Sequence, residues 1–362
     1  MTKKIVINKA SLFSYIFYLY YKENFMGTTL NQSKQTFRAI GLVNELNLER
    51  EDCEIKVKDK DGNESTIDGE RIRGKVAINI NGGIKIFNVF VNSKTSKGED
   101  SKQWKNAEKM LELNPEIGGD SSKEPSLVSI TGRVDENTYP TDDGVKTTLR
   151  WSVNRISTSR VSDEDEHGCT LSGVFYIKAI RAEEKNEEET GRLLVTLCAV
   201  GYGASPIVIE TIVQEDLAEA FNDMYEVGQT AQFDIDVVNE HVGKKTTGKK
   251  AFGDSGKIKS TGFDREILVI VGGDEPIEEP DEEDEDGNII DNGWIDPKAM
   301  KMALKERDIK IEEIKKNGKT TTTKSAKTTS IKEKKRMGAK KIESPIPDDE
   351  DDETDPFDDD DF

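Results

Sequence analysis

Read for the alternation of apolar and polar positions, the chain changes character three times. From Thr36 it runs with period two between turn signals, the pattern of strands that bury one face. Ile40, Leu42, Leu46 and Leu48 alternate, then Cys53, Ile55 and Val57, and Asp61-Gly62 marks a hairpin turn. Next, Ile72, Val76, Ile78 and Ile80 fall on one face while Arg71, Arg73 and Lys75 fall on the other, which predicts a strand with a core side and a basic side. Asn81-Gly82-Gly83 turns the chain into IKIFNVFV over 84–91, a strand apolar on both faces. A polar loop, a short helix over 104–113, and two strands over 128–134 and 146–156 follow. Tyr139-Pro140 and Asp143-Gly144 lie in the hairpin between those two strands.

After an acidic hinge at 163–166 the plan recurs. Strands are predicted over 171–180, 193–200 and 207–213, a helix over 216–225, and strands over 229–238 and 266–271 around a long loop. Three strand regions, a helix and two further strands is the order of an OB-fold barrel, although a generic five-stranded barrel or sandwich gives a similar string. The expected class is mainly β: two tandem OB-fold-like β-barrels with a disordered acidic C-terminal tail. The expected boundaries are an N-terminal extension over 1–27, a first OB-like domain over 28–162 and a second over 167–273. An acidic linker over 274–295, a helix over 296–316, a flexible basic linker over 317–347 and an acidic tip over 348–362 complete the chain. The helix is read from Asp296-Pro297, an N-cap with proline at the first helical position. It serves as a docking or bundling element, or as a transient helix in the linker.

The first residues obey a different pattern. Leu12 to Tyr21, LFSYIFYLYY, is apolar and follows Lys3, Lys4 and Lys9, but the run is too short to span a membrane and lacks a small-residue cleavage site. Met26-Gly27 follows it, so translation is expected to start at Met26, the alternatives being an ordered apolar arm or a targeting segment.

Composition then sets limits. The 362 residues are 34% charged and 34% hydrophobic, too polar for one compact globule of this length. The net charge of −20 is unevenly spread: residues 274–362 hold 29 acidic and 16 basic side chains, leaving 43 and 36 in residues 1–273. A polyanion ligand would therefore need a local basic patch, and its affinity would fall steeply with salt. Cys53, Cys169 and Cys198 fit neither a metal spacing nor a disulfide framework, which implies a reducing compartment, the cytoplasm. With His167 and His241 the only histidines and no motif that would activate a serine or cysteine, neither an enzyme nor a metal site nor a cofactor is expected. GKKTTGKK imitates a phosphate-binding Walker loop, but Lys250 stands where the magnesium-binding hydroxyl belongs.

Two basic regions and a few aromatics are the candidate ligand contacts. The loop over 239–262 carries Lys244, Lys245, Lys249, Lys250, Lys257 and Lys259 with Phe252, spaced by glycines, a composition suited to wrapping a phosphate backbone or to plain solvation. Arg71, Arg73 and Lys75, with Lys56 and Lys58 on the neighbouring strand, form the second. In KTTLRWSVNRI, Trp151 shares a face with Leu149 and Val153 and is expected in the core, whereas Arg150 points the other way. Phe37, Phe87 and Tyr139, lying off the apolar face or in a loop, are candidate base-stacking platforms or core filling at the barrel mouth.

The chain ends in DDEDDETDPFDDDDF, with eleven carboxylates, no base and two phenylalanines, Phe357 and Phe362. Like charges and the absence of apolar surface predict disorder. Here the sequence resembles the bacterial and bacteriophage single-stranded DNA-binding proteins, whose disordered linkers end in an acidic tip closed by phenylalanine. The resemblance implies a protein that coats and protects unpaired DNA without sequence specificity. It also implies that Asp355, Pro356, Phe357, Asp358, Asp359, Asp360, Asp361 and Phe362 recruit replication or recombination proteins, in a bacterial host cytoplasm if the protein is phage-encoded. Homo-oligomerisation stays open. The alternatives are an acidic DNA mimic or protein-binding inhibitor, and a phage structural or assembly protein.

Overall fold

The computed structural model describes residues 30–58, 62–80, 83–141, 144–158, 161–162, 165–185, 188–246, 259–280 and 292–324, with side chains described for all of these except 241–246, 259–264 and 317–324. The expected N-terminal arm and translation start, most of the acidic linker, the basic linker beyond 324 and the acidic tip lie outside the described residues, as do Lys249, Lys250, Phe252 and Lys257.

The protein is mainly β. Its elements in order are β1 (Gln35–Lys58), β2 (Glu64–Ile80), β3 (Gly83–Asn92), α1 (Trp104–Leu111), β4 (Leu127–Thr141), β5 (Gly144–Ser157), β6 (Gly168–Lys185), β7 (Glu188–Val200), β8 (Pro206–Val213), α2 (Glu215–Met224), β9 (Thr230–Thr246), β10 (Lys259–Gly273) and α3 (Pro297–Lys324). Among the described residues, all ten strands belong to one sheet, in the order β2-β3-β5-β4-β1-β6-β7-β8-β10-β9. Two further pairings, β2 with β1 and β6 with β9, bring each half back on itself. The first five strands thus run β1-β2-β3-β5-β4-β1, and the last five repeat that connectivity as β6-β7-β8-β10-β9-β6. In each half the third and fifth strands meet in parallel, at Asn88 and Ser152 in the first and at Ile212 and Val269 in the second, and the other pairings are antiparallel.

The two halves are not beads separated by a hinge. Gln35 to Ile40 of β1 pairs antiparallel with Gly173 to Gly168 of β6, so the backbone hydrogen bonding runs unbroken across the junction. β1 is also longer than the pattern predicts, because the runs read as two strands over 40–48 and 53–57 are one 24-residue strand.

An irregularity between Val43 and Glu45 in that strand corrects one site assignment, and the inward row of β3 corrects a second. Before the irregularity, Phe37, Ala39 and Val43 are buried at 0% exposure, so the inward row is the odd-numbered one and not the even row of Ile40 and Leu42. Phe37 and Phe87 therefore have no surface on which a base could stack. Both fill the core, with ring centroids 5.1 Å apart and near-parallel, and each meets the edge of Trp151, at 5.2 and 6.5 Å. The core position expected of Trp151 holds, at 3% exposure. In the second half Phe221 and Tyr225 pack on Phe233, and one contiguous apolar cluster runs through both halves.

One inward position in β3 is a lysine. The Lys85 side chain is 5% exposed, its Nζ lies 3.8 Å from the Trp151 ring centre, and it donates to Glu266 Oε1 of β10 at 2.6 Å. Burial pulls the Lys85 pKa below the ordinary lysine value while Glu266 pushes the other way. The pair joins the halves a second time, far from the β1 and β6 contact in sequence.

Two outcomes follow for equilibrium urea unfolding read by circular dichroism. Phe87→Ala removes a ring at the centre of the first aromatic cluster and costs about 3–5 kcal/mol. Lys85→Met stays within about 1 kcal/mol of the parent, because Glu266 is 40% exposed and regains water, whereas Glu266→Gln strands a buried cation and costs about 1–3 kcal/mol. A Lys85→Met loss exceeding that of Glu266→Gln would contradict the assignment.

Candidate nucleic-acid interface

Strand register decides which candidate residues share a surface. The ladder between β1 and β2 pairs Glu51 with Arg71, Glu49 with Arg73 and Asn47 with Lys75. The same β2 residues pair onward with Asn92, Phe90 and Asn88 of β3, and the next rows are Glu45, Ala77 and Ile86, then Asn79 and Ile84. Directly paired residues project to the same side of a sheet. The outer face of β1-β2-β3 therefore presents acids from β1, bases from β2, and aliphatic, aromatic and amide groups from β3.

The two arginines on this face are already engaged. Arg73 Nε lies 3.2 Å from Glu51 Oε1, and Arg71 reaches the same carboxylate at 3.9 Å. Arg71 also donates from Nε to Asn92 Oδ1 at 2.9 Å, with its guanidinium carbon 4.7 Å from the Phe90 ring centre. An arginine placed over an aromatic ring sets a positive charge beside an apolar face. Lys75 is exposed beside it.

Lys56 and Lys58 do not join this patch. They pair with Thr66 and Glu64 in an unbroken register five and seven residues beyond Glu51, an odd offset that places them on the opposite side of the ribbon. Lys58 lies 3.3 Å from Glu64, both side chains being 65% exposed. The expectation of one basic surface from both strands is corrected accordingly.

Sequence reading missed the apolar part of the face. Ile84 and Ile86 are 55% and 53% exposed, and Phe90 is half-buried between Arg71 and solvent. The signal was present in IKIFNVFV: a strand apolar on both sides buries one row in the core and leaves the other to a second cover or to solvent. Here Phe87, Val89 and Val91 go inward.

A second cluster lies on the β4 and β5 hairpin. Tyr139 pairs with Lys146, Asn137 with Thr148, and Asp135 with Arg150, so all six project to one side. Arg150 is exposed and Tyr139 half-buried. Burial pushes the Asp135 carboxyl above the usual carboxylate range, with Arg150 and Arg133 working against that shift. In the second half β9 and β10 extend as a ribbon in which Lys244 pairs with Thr261, Lys245 with Ser260 and Lys259 with Thr246. That places three of the six predicted loop lysines on regular strands at the end of a long hairpin.

Among the described residues no helix is long and apolar enough to cross a membrane, and no group of three or more His, Cys, Asp and Glu side chains is placed to hold a metal ion.

No curated protein matches the sequence. Among solved structures, the chain is similar to a deletion variant of the single-stranded DNA-binding protein from Thermus aquaticus, at 12% identity over 70% of this chain and 99% of that one, with a TM-score of 0.36. The wild-type form of that protein gives 11% identity over 71% and 99%, again with a TM-score of 0.36. Likeness at this level leaves any functional argument to the residues of the chain itself. A family model described as YorF matches residues 34–317, a span that takes in all ten strands, and on that match the chain belongs to the YorF family.

Proposed function

We propose that this protein binds single-stranded DNA without sequence preference, on two OB-type barrels, with the outer face of β1-β2-β3 as its main grip. The observation that carries the reading is the composition of that face: Arg71, Arg73 and Lys75 run beside exposed Ile84 and Ile86 and the Arg71-backed Phe90. Cations that follow a phosphate backbone beside flat or apolar side chains that receive bases are the two requirements of sequence-tolerant strand binding. The connectivity supports the same reading. A ring ordered 1-2-3-5-4-1, with its helix between the third and fourth strands, is the OB arrangement, in which the face of strands 2 and 3 and the flanking hairpins receive oligonucleotides. This last step is an analogy between folds, and the residues carry more weight than the topology.

Around that grip, the β4 and β5 hairpin contributes Tyr139, Lys146 and Arg150, and the β9 and β10 ribbon its lysines. The acidic tip, repelled by the phosphates, stays free to recruit replication or recombination proteins in the cytoplasm. One observation favours a second reading. Glu45, Glu49 and Glu51 stand on the same face as the bases, and an acidic mimic of DNA would show such carboxylates to a basic partner.

A fluorescence titration with labelled poly-dT at two salt concentrations, with duplex DNA as control, separates the two. Strand binding predicts saturable affinity for poly-dT that exceeds the duplex value and weakens with salt. Lys75→Gln lowers the salt slope by about 0.7, the share of one single-strand phosphate contact. Phe90→Leu weakens binding by about 1–3 kcal/mol if the ring stacks a base. A protein that ignores poly-dT in dilute buffer would rule out strand binding.

A further inference from the structure

The two halves share a connectivity but not the use of their outer faces. In β6-β7-β8, Phe175, Ile177, Leu197, Ala199, Ile207 and Ile209 belong to the main core. The residues between them point the opposite way, and Tyr176, Cys198 and Val208 form one row across the three strands. In the first half the row at the same place relative to the strand irregularity is Leu42, Asn79 and Ile84, with Leu42 and Asn79 half-buried and Ile84 55% exposed. Here it is covered: Tyr176, Cys198 and Val200 pack with Ile295, Met300 and Leu304, and Met300 is 0% exposed.

The covering element is α3, fixed at both ends of the contact. Before its first turn, the Thr230 hydroxyl donates to the Ile295 carbonyl at 3.3 Å and accepts from the Ile295 amide at 3.2 Å, and Asp296 Oδ1 accepts the Lys298 amide proton at 2.8 Å as an N-cap. Three turns on, Arg307 forms a two-pronged pair with Glu136 of β4, donating from Nε at 2.7 Å and from Nη2 at 2.8 Å. That carboxylate also accepts the Val208 amide proton at 3.3 Å. The helix thus lies on the second half's sheet and is tied to the first half's hairpin. Val174, Tyr176, Cys198, Val200 and Val208 include one aromatic ring and no cation, so the face beneath α3 lacks what a phosphate backbone needs.

We propose that the end of the outer face of β6-β7-β8 formed by Tyr176, Cys198, Val200 and Val208 is a helix-docking surface whose occupant is α3 of the same chain, and that this end takes no nucleic acid strand. The docking part stands on the geometry alone, and the exclusion of a strand rests on the nucleic-acid reading above. Cys198 lies under α3, Cys169 in the main core and Cys53 partly exposed, so the three native thiols report separately on helix lifting, global unfolding and open surface. Burial also pushes the Cys198 thiol up to about 12, which adds to its protection while α3 is seated.

The test is maleimide labelling of the full-length protein, with each site followed by peptide mass. The parent should label at Cys53 first, with Cys198 and Cys169 both slow. Arg307→Ala should accelerate Cys198 about 10-fold and leave Cys169 unchanged, and Met300→Ala, which trims the apolar contact but keeps the ion pair, should act in the same direction. Cys198 labelling as fast as Cys53 in the parent would overturn the docking claim. So would no acceleration in either variant, or equal acceleration of Cys169, which signals loss of the fold rather than lifting of a helix. In a second arm, saturating oligo-dT should leave Cys198 as slow as before, and acceleration would mean that the strand takes the place of α3, overturning the exclusion. A protein that keeps Cys198 protected yet binds no oligo-dT retires the nucleic-acid reading and leaves the docking surface standing.

Discussion

Everything about the surface of this protein depends on the closure of each five-strand set through the contact of its third and fifth strands. Those two strands run parallel, and parallel neighbours cannot be joined by a tight turn. The chain therefore has to leave the sheet after β3 and after β8, cross over, and return. The crossover from β3 to β5 consists of α1 and β4, and that from β8 to β10 of α2 and β9; Ala107 and Met110 of the one helix, Ala218 and Phe221 of the other, bury against the core as the chain passes. The closing contacts themselves are brief, Asn88 with Ser152 in one half and two residue pairs in the other. They suffice because most of the apolar gain is inside, where Phe37, Phe87 and Trp151 meet in the first half and Phe221, Tyr225 and Phe233 in the second. Closure also removes the free edges that a long antiparallel ribbon would otherwise show to its neighbours.

Once the inner row is committed to the core, the outer row is free to diverge, and it does. In β1-β2-β3 it combines guanidinium, amide, aromatic and branched aliphatic groups in a solvent-facing array. In β6-β7-β8 one end of it, Tyr176, Cys198, Val200 and Val208, is an apolar strip that a helix from the same chain seals, while Arg181, Thr196 and Glu210 of the same face are exposed or half-buried. The ionic contacts sort along the same line. Arg307 and Lys85, with side-chain exposures of 16% and 5%, cross between the halves, and so fix how they lie relative to each other. Lys58 with Glu64 is exposed, and pairs of that kind add little to stability. In a chain with a net charge of −20, strand register still gathers Arg71, Arg73 and Lys75 on one face, whatever the overall balance.

Much of this was legible from the sequence, for a physical reason: period-two alternation and Gly-containing turns are local signals, and they marked the strand regions and both helices of the body. What escaped was non-local. The register irregularity between Val43 and Glu45 exchanges the inward and outward rows of β1, and nothing in the neighbouring residues announces it, so Phe37 reads as a surface ring. Phe87 sits in a run apolar on both sides, where the sequence cannot say which row faces the core. Lys85 looks like a solvent-facing base until Glu266, far along the chain, supplies its partner. The separation of Lys56 and Lys58 from Arg71, Arg73 and Lys75 needs only a parity count along one ribbon, and that count becomes available once the pairing is known. For α3, the N-cap and proline signalled a helix, but its docking face could not be named, because Tyr176, Cys198 and Val200 lie about a hundred residues upstream of Met300 and Leu304.

Hydrogen exchange read by mass spectrometry, with and without a saturating dT oligonucleotide, tests the central claim most directly, because it locates the ligand without altering a residue. The account predicts added protection over residues 71–92 of β2 and β3 and along the β4 and β5 hairpin, with peptides of β6, β7 and α3 unchanged. Protection confined to the second half, or absent throughout under conditions of demonstrated binding, would contradict it.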